Sequence, residues 1–127
     1  MFNHEDRIRI RHMLDASQKV IKFIDGKTRQ EFENEEVLVL AVLRLLEMIG
    51  EAAKKISPET SKEFTRIPWK GIIGTRDRLI HGHFHVDMNV IWNIIEKDLP
   101  YLIKELMEVE KIIGESIYDK TFLETMA

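Results

Sequence analysis

Apolar residues recur along most of this chain at intervals of three and four, which is the spacing of one face of an α-helix. Strand-like alternation is almost absent. A first helix is predicted from about His4 to Ile24, and Asp25-Gly26 ends it with a C-terminal glycine. The clearest stripe belongs to a second helix, for which Asn34 is the predicted N-cap. The apolar positions of this second stripe are Leu38, Ala41, Val42, Leu45, Ile49, Ala52, Ala53 and Ile56.

Capping signals and one glycine refine the first half of the chain. Thr28 with Glu31 is typical of a capping box that starts a short helical turn. Ser57-Pro58 begins another short turn, with serine as cap and proline at the first helical position. Gly50 lies inside the second helix, where glycine costs about 1 kcal/mol relative to alanine. A close approach by a neighbouring helix would explain its presence.

The second half predicts two further long helices. Pro68 opens the third, which ends at Gly82 or runs on to Phe84. Asp87 is a good cap for the fourth.

Two residues interrupt the pattern of the fourth helix. Pro100 removes a backbone donor, so we expect a kink or a break there. Gly114 is predicted to end the helix, and the tail from 115 to 127 is either a loose fifth helix or disordered. Together these elements predict an all-α fold, an up-and-down antiparallel bundle of four to five helices that forms a single domain over residues 1–127. A small bundle of this kind leaves part of its apolar surface exposed, which favours a homodimer with a two-fold interface.

Composition narrows the class of protein. With 127 residues, of which 44% are hydrophobic, the chain can bury a core. It has no cysteine, which excludes disulfides and cysteine-based zinc sites. No apolar run approaches the roughly 18 residues of a membrane span, and the N-terminus has no apolar signal region. A cytoplasmic protein without a membrane partner is therefore expected.

The net charge of −3 does not indicate nucleic-acid binding, but basic residues are locally concentrated. One cluster comprises Lys62, Arg66, Lys70, Arg76 and Arg78, and a second comprises Arg7, Arg9, Arg11 and His12. Such patches either follow a phosphate backbone or are solvated helix faces.

The most informative residues are Arg76, Asp77 and His81, which fall within little more than one helical turn. An arginine binds and neutralises phosphate, and a histidine moves a proton near neutral pH. Asp77 lies one turn before His81 on the same face, where it can hold the imidazole in one tautomer. Arg76 and His81 are separated by about 140° around the helix. This separation favours a site shared between two subunits, although an ordinary surface ion pair and a histidine at a helix end would give the same residues.

Other chemistry in this region is less specific. His81, His83 and His85, with Asp87, could ligate zinc, but no HExxH pattern accompanies them, and the prediction is no metal site. Trp69 and Trp92 could stack on bases, although tryptophans are more often core or interface anchors.

Residues 67–82, which open with Ile67-Pro68-Trp69 and contain Arg76 and His81, closely resemble the signature of HEPN-domain proteins, and among them the HepT-like toxins. The resemblance extends to residues 47–55 and to Asp98-Leu99-Pro100, and covers most of the chain in order. It implies a dimeric all-α bundle that brings two Arg-x4-6-His motifs together. Active members are metal-independent endoribonucleases without a cofactor, and typically are toxins neutralised by a nucleotidyltransferase antitoxin.

Carried over to this sequence, the resemblance makes Arg76 the motif arginine, Asp77 the polar residue after it, and His81 the histidine. RNA would be the substrate, with Arg78 and Lys70 as candidate RNA-binding residues. HepT-like members commonly have a tyrosine two residues after the histidine, which the partner can adenylylate, and here that position is His83. The alternative is a non-catalytic helical module that binds a nucleotidyltransferase partner or a nucleotide.

Overall fold

The computed structural model describes residues 3–81 and 86–126, with side chains described over residues 3–80 and 86–114. Every regular element in these ranges is helical, which confirms the predicted all-α class. The helices are α1 (His4–Ile24), α2 (Arg29–Asn34), α3 (Glu36–Lys54), α4 (Pro58–Glu63), α5 (Trp69–His81), α6 (Met88–Asn93) and α7 (Leu99–Met126), with a π-helical turn (Ile94–Asp98) between the last two. No helix in the described part of the chain is long and apolar enough to cross a membrane.

At the majority of helix ends, the capping residues predicted from the sequence make the expected contacts. The Asn3 side chain accepts a hydrogen bond from the Asp6 amide at 2.6 Å, and α1 ends before Gly26, whose φ is +74°. Both halves of the Thr28–Glu31 capping box are formed, each at 3.1 Å. The Ser57 hydroxyl accepts from the Thr60 amide to cap α4.

The prediction that Asn34 caps the second long helix is wrong. Asn34 is instead the last residue of α2, because the helix that Thr28 starts continues through it. The Glu35 amide then donates to the Phe32 carbonyl at 3.1 Å, so the N-cap position of α3 passes to Glu35. Glu35 makes no side-chain capping hydrogen bond.

The predicted interruption before Pro100 takes the form of a π-helical turn. The Leu99 amide donates to the carbonyl of Ile94, five residues earlier, which is the π-helical bond. Pro100 follows directly, and because proline has no N–H, the helix lacks the hydrogen bond that this position would donate to the carbonyl four residues earlier. The wider turn keeps the helical rod continuous from α6 into α7, with Ile95 and Leu99 both buried.

The prediction that Gly114 ends the last helix is also wrong, since α7 continues through it to Met126. A glycine ends a helix by taking a positive φ, and among the described glycines only Gly26 does so. At Gly114 the glycine is therefore an interior helical residue.

Four long helical elements form the predicted bundle: α1, α3, α5 and the rod from α6 to α7. α3 packs against both α1 and α5, and α1 packs in addition against α7. Arg9 near the start of α1 donates to the carbonyl of Lys55 after the end of α3, at 3.1 Å, so α3 runs antiparallel to α1. Arg11 of α1 pairs with Glu110 of α7 at 3.4 Å. The largest fully buried apolar side chains in the described core are Phe32, Ile10, Met13, Ile67, Ile95, Leu106 and Ile113.

A buried carboxylate joins the start of α1 to the turn after α3. Asp6 has no exposed side-chain surface, and it accepts hydrogen bonds from the Ser57 amide at 3.1 Å, the Ser57 hydroxyl at 2.5 Å and the Thr60 hydroxyl at 2.6 Å. Burial acts to raise the pKa of Asp6, but these hydrogen bonds and the nearby charge of Arg9 outweigh it, so the pKa lies below its ordinary value.

Candidate functional site

Arg76 lies where α5 comes closest to α3. A Cβ atom built on Gly50 of α3 would lie 2.1 Å from the Cβ atom of Arg76, a distance that real side chains do not adopt. The close approach predicted from the glycine inside the second stripe is therefore confirmed, and the residue that makes the approach is the motif arginine.

The guanidinium of Arg76 is only partly engaged. Its Nη1 donates to the Oδ1 atom of Asp77 at 3.1 Å, and 22% of the Arg76 side chain is exposed. Its Nε is buried and has no hydrogen-bond partner among the described residues. A buried donor without a partner costs about 1–3 kcal/mol of free energy. An oxygen ligand that accepted a hydrogen bond from this Nε would remove that cost, so it would bind more tightly here than at a fully solvated arginine.

The side chain of Asp77 is 47% exposed, and the residue lies four positions before His81. The backbone of α5 stays helical through His81, so the separation of about 140° between positions 76 and 81 persists along the helix. The His81 side chain lies outside the described residues, as do His83 and His85. The contact of Asp77 with His81 therefore stays a prediction, and zinc binding by the histidines stays an untested alternative. The described residues contain no cluster of potential metal ligands.

A groove of about 530 Å³ separates α5 from the α6–α7 rod. Leu46 and Ile49 of α3 form its apolar floor, and Arg78 and Asp98 lie on its rim. The groove exists because α5 packs closely on α3 and has few contacts with α7. Helical periodicity did not reveal it, since periodicity shows which face of a helix is apolar but not how far apart two helices lie.

The two basic clusters of the sequence differ in their environment. In the N-terminal cluster, Arg9 lies near Glu5 and Asp6, and Arg11 pairs with Asp15 and Glu110. The second cluster has four exposed side chains that form no ion pair with any described residue, namely Lys62, Arg66, Lys70 and Arg78. The second cluster, which surrounds Arg76 in sequence, therefore presents more free positive charge to an anion than the N-terminal cluster, in which Arg7 is the one arginine without an ion pair to a described residue.

Both tryptophans pack against the core, as their more common role predicts. The Trp69 indole donates to the Phe64 carbonyl at 3.0 Å. Trp92 meets Phe32 edge to face, with ring centroids 5.8 Å apart.

Comparison with known proteins agrees with this combination of helical bundle and motif. The model of the family described as "Ribonuclease HepT-like" matches residues 13–109, a range that includes Gly50, Arg76 and His81. No solved structure matches the chain.

The relatives extend over most of the chain. The chain is 37% identical to "Putative RNase TTE0752" of Caldanaerobacter subterraneus subsp. tengcongensis over 105 residues, which cover 80% of this chain and 94% of the relative. It is 36% identical to "Probable ribonuclease HepT" of Thermococcus cleftensis over 93 residues, or 70% of this chain and 84% of the relative. A third relative, "Gamma-glutamylcyclotransferase and putative RNase MJ0434" of Methanocaldococcus jannaschii, is 33% identical over 90% of this chain, which spans only 51% of that protein.

Proposed function

This chain belongs to the HepT-like ribonuclease family, and from that membership we propose that it is a metal-independent endoribonuclease toxin. Its substrate is RNA, and its site combines the Arg-x4-His motifs of two subunits. The single observation that carries the proposal is the state of Arg76: its Cβ and Cγ atoms lie against Gly50 of α3, and its guanidinium is bonded to Asp77 at Nη1 but has no partner at Nε among the described residues.

The proposed reaction is an internal transesterification. The imidazole of His81 removes the proton from a ribose 2′-hydroxyl, and the 2′-oxygen attacks the adjacent phosphorus. The bond from phosphorus to the 5′-oxygen breaks, and that oxygen takes a proton from the second imidazole of the dimer. Arg76 stabilises the extra negative charge of the transition state, and Asp77 orients both Arg76 and His81. The products are a 2′,3′-cyclic phosphate and a 5′-hydroxyl.

A homodimer supplies what one α5 helix lacks. Positions 76 and 81 point about 140° apart, so one helix does not aim both side chains at the same phosphate. A second copy related by a two-fold axis places an arginine and an imidazole from different subunits on either side of a shared cleft.

Restraint of the toxin by a nucleotidyltransferase antitoxin is part of the proposal. The residue two positions after His81 is His83, where many family members have the tyrosine that receives AMP. An imidazole does not form a stable adenylyl adduct comparable to that of a phenol. We therefore propose that neutralisation of this chain depends on binding of the antitoxin rather than on modification at position 83.

Cleavage of a defined RNA by the purified protein tests the reaction. The wild type is expected to cut RNA in the presence of EDTA, to leave a 2′,3′-cyclic phosphate, and to spare DNA of the same sequence. Arg76→Ala and His81→Ala should each abolish cutting, whereas Arg11→Ala, which removes an ion-paired arginine of the other basic cluster, should retain it. Loss of activity in EDTA, or full activity of His81→Ala, would overturn the proposal.

Induced expression in cells separates the toxin from the alternative module. Growth arrest by the wild type and normal growth with either motif variant supports the enzyme. Normal growth with well-expressed wild type, together with retained binding of a nucleotidyltransferase, supports the non-catalytic module instead.

A further inference from the structure

We propose that Gly50 is a positioning residue for this reaction, because its missing side chain is what allows α5 to seat Arg76 against α3. The inference rests on the proposed function, in which Arg76 stabilises the transition state. It assigns a role in that chemistry to a residue on a different helix, 26 positions before the arginine.

The atoms that would overlap cannot rotate away. A Cβ atom at position 50 lies 2.1 Å from Arg76 Cβ, 2.7 Å from its Cγ and 3.3 Å from its Cα. The Cα and Cβ positions are fixed by the backbone of α5, so no rotamer of Arg76 relieves the overlap. Because carbon atoms pack at about 3.5 Å, even a methyl group at position 50 forces the two helices apart locally by more than about 1 Å.

The guanidinium would move with its helix. The Arg76 side chain is mostly buried, and its guanidinium bonds to Asp77, the next residue on the same helix. Both the backbone of Arg76 and the hydrogen-bond partner of its guanidinium therefore move when α5 moves. A shift of about 1 Å in a group that contacts the reacting atoms lowers a rate by about 100-fold. Gly50 therefore acts on the reaction through the position of Arg76, with no contact of its own to RNA.

Other glycines of the chain provide matched controls. A Cβ atom on Gly74 of α5 or Gly114 of α7 meets no other atom within 4 Å, and both residues are in helices with negative φ. Gly114→Ala therefore makes the same chemical change inside a helix without displacing a neighbour. Replacement of any of these glycines raises helix propensity to the same extent, so only the overlap distinguishes Gly50.

Steady-state kinetics on RNA give the first test. Gly50→Ala should lower kcat by about 100-fold while KM changes by less than about threefold, because the exposed, flexible side chains of Lys70 and Arg78 still reach the RNA backbone after a local shift of α5. Gly114→Ala should keep kcat within about twofold of the wild type. A folded Gly50→Ala protein with wild-type kcat would overturn the proposal.

A double variant tests the contact itself. Arg76→Gly removes the Cβ and Cγ atoms that Gly50→Ala would strike, so the melting temperature of Gly50→Ala/Arg76→Gly should exceed the value expected from adding the two single effects. Its RNase activity should stay absent, since the guanidinium is gone. Additive changes in melting temperature would contradict the overlap. If Gly50→Ala alone fails to fold, recovery of folding in the double variant supports the proposal, and continued failure overturns it.

The Nε–H resonance of Arg76 in an NMR spectrum separates this inference from the proposed function. The signal is identified by its disappearance in Arg76→Lys, and it should shift in Gly50→Ala but not in Gly114→Ala. If the wild type does not cleave RNA and the resonance still shifts, the proposed function fails, and what stands is only that Gly50 sets the position of Arg76. If the wild type cleaves RNA and Gly50→Ala matches it in rate and spectrum, the positioning role fails while the function stands.

Discussion

At the scale of single residues, two aspartates show how differently one side chain is used in this bundle. Asp77 is about half exposed and bonds the neighbouring Arg76, and the spacing of the motif was enough to single it out. Asp6 is fully buried, and its partners Ser57 and Thr60 lie more than fifty positions away along the chain. Periodicity and local motifs do not reach across such a distance, so the sequence did not indicate the role of Asp6.

Replacing the buried carboxylate should destabilise the fold. Asp6→Asn removes the charge of a carboxylate that accepts three hydrogen bonds. Hydrogen bonds to charged groups contribute about 1.5–3 kcal/mol each to stability. We expect the free energy of unfolding in urea to fall by about 2–3 kcal/mol at neutral pH. Asp15→Asn, an exposed carboxylate of the same helix paired with Arg11 at 3.4 Å, should cost less than about 1 kcal/mol.

The lowered pKa of Asp6 fixes how the stability of the fold depends on pH. Burial alone would raise the pKa of Asp6, but the hydrogen bonds from Ser57 and Thr60 hold the folded pKa below the ordinary value of 3.8. The stabilisation is therefore present above the unfolded pKa and is lost as pH falls through the folded pKa. The stability gap between wild type and Asp6→Asn should shrink on going from about pH 5 to about pH 3. A gap that stays constant over this interval would show that the carboxylate is not the stabilising species.

At the scale of elements, the sequence predicted helix starts better than helix continuity. Thr28, Ser57 and Asp87 cap the helices that their types indicate, because a capping bond reaches only two or three residues. Asn34, the predicted N-cap of the second long helix, is instead the last residue of α2, and Gly114, the predicted helix end, lies inside α7, because the neighbouring residues continue the helix through each position. The π-helical turn before Pro100 was predicted only as an interruption, because its form depends on keeping both Ile95 and Leu99 in the core.

The short helix α2 should depend on a single anchor. Phe32 is its only buried residue, and the ring packs edge to face on Trp92. Phe32→Ala should lower the free energy of unfolding by about 3–5 kcal/mol, as for other fully buried aromatic residues. Phe23→Ala, which truncates a phenylalanine that is 40% exposed, should cost less than about 1.5 kcal/mol. Equal losses in the two variants, measured by urea denaturation with tryptophan fluorescence, would contradict this role of α2.

At the scale of the whole molecule, the bundle combines a closed side and an open side. α1, α3 and α7 pack into one core, whereas α5 stands apart from the α6–α7 rod and leaves a groove beside Arg78. The sequence could predict the helices that form the bundle and the residues of the candidate site. It could not predict the groove or the pairing of Gly50 with Arg76 in particular, because both depend on the distance between helices.

The free basic cluster should control RNA affinity without controlling the chemical step. Lys70 and Arg78 are exposed and unpaired among the described residues, so we expect Lys70→Ala/Arg78→Ala to raise KM for RNA several-fold and leave kcat nearly unchanged. The log–log slope of RNA binding against salt concentration should become shallower by about 0.7 for each phosphate that these side chains neutralise in the wild type. Arg11→Ala, whose arginine is already ion-paired, should change neither quantity. A fall in kcat with unchanged KM would instead place Lys70 or Arg78 in the reaction itself.

Mixing of wild-type and His81→Ala subunits tests the shared site most directly. The assembled wild type should have twice the 15.0-kDa mass of one chain, and the mixture is exchanged to equilibrium before RNA cleavage is measured. If two imidazoles from paired subunits act on one phosphate, only fully wild-type dimers cut, so an equal mixture should retain about one quarter of the wild-type activity. Activity that falls in direct proportion to the wild-type fraction, to about one half, would mean that one imidazole is enough at each site and would contradict the reaction with two imidazoles on one phosphate.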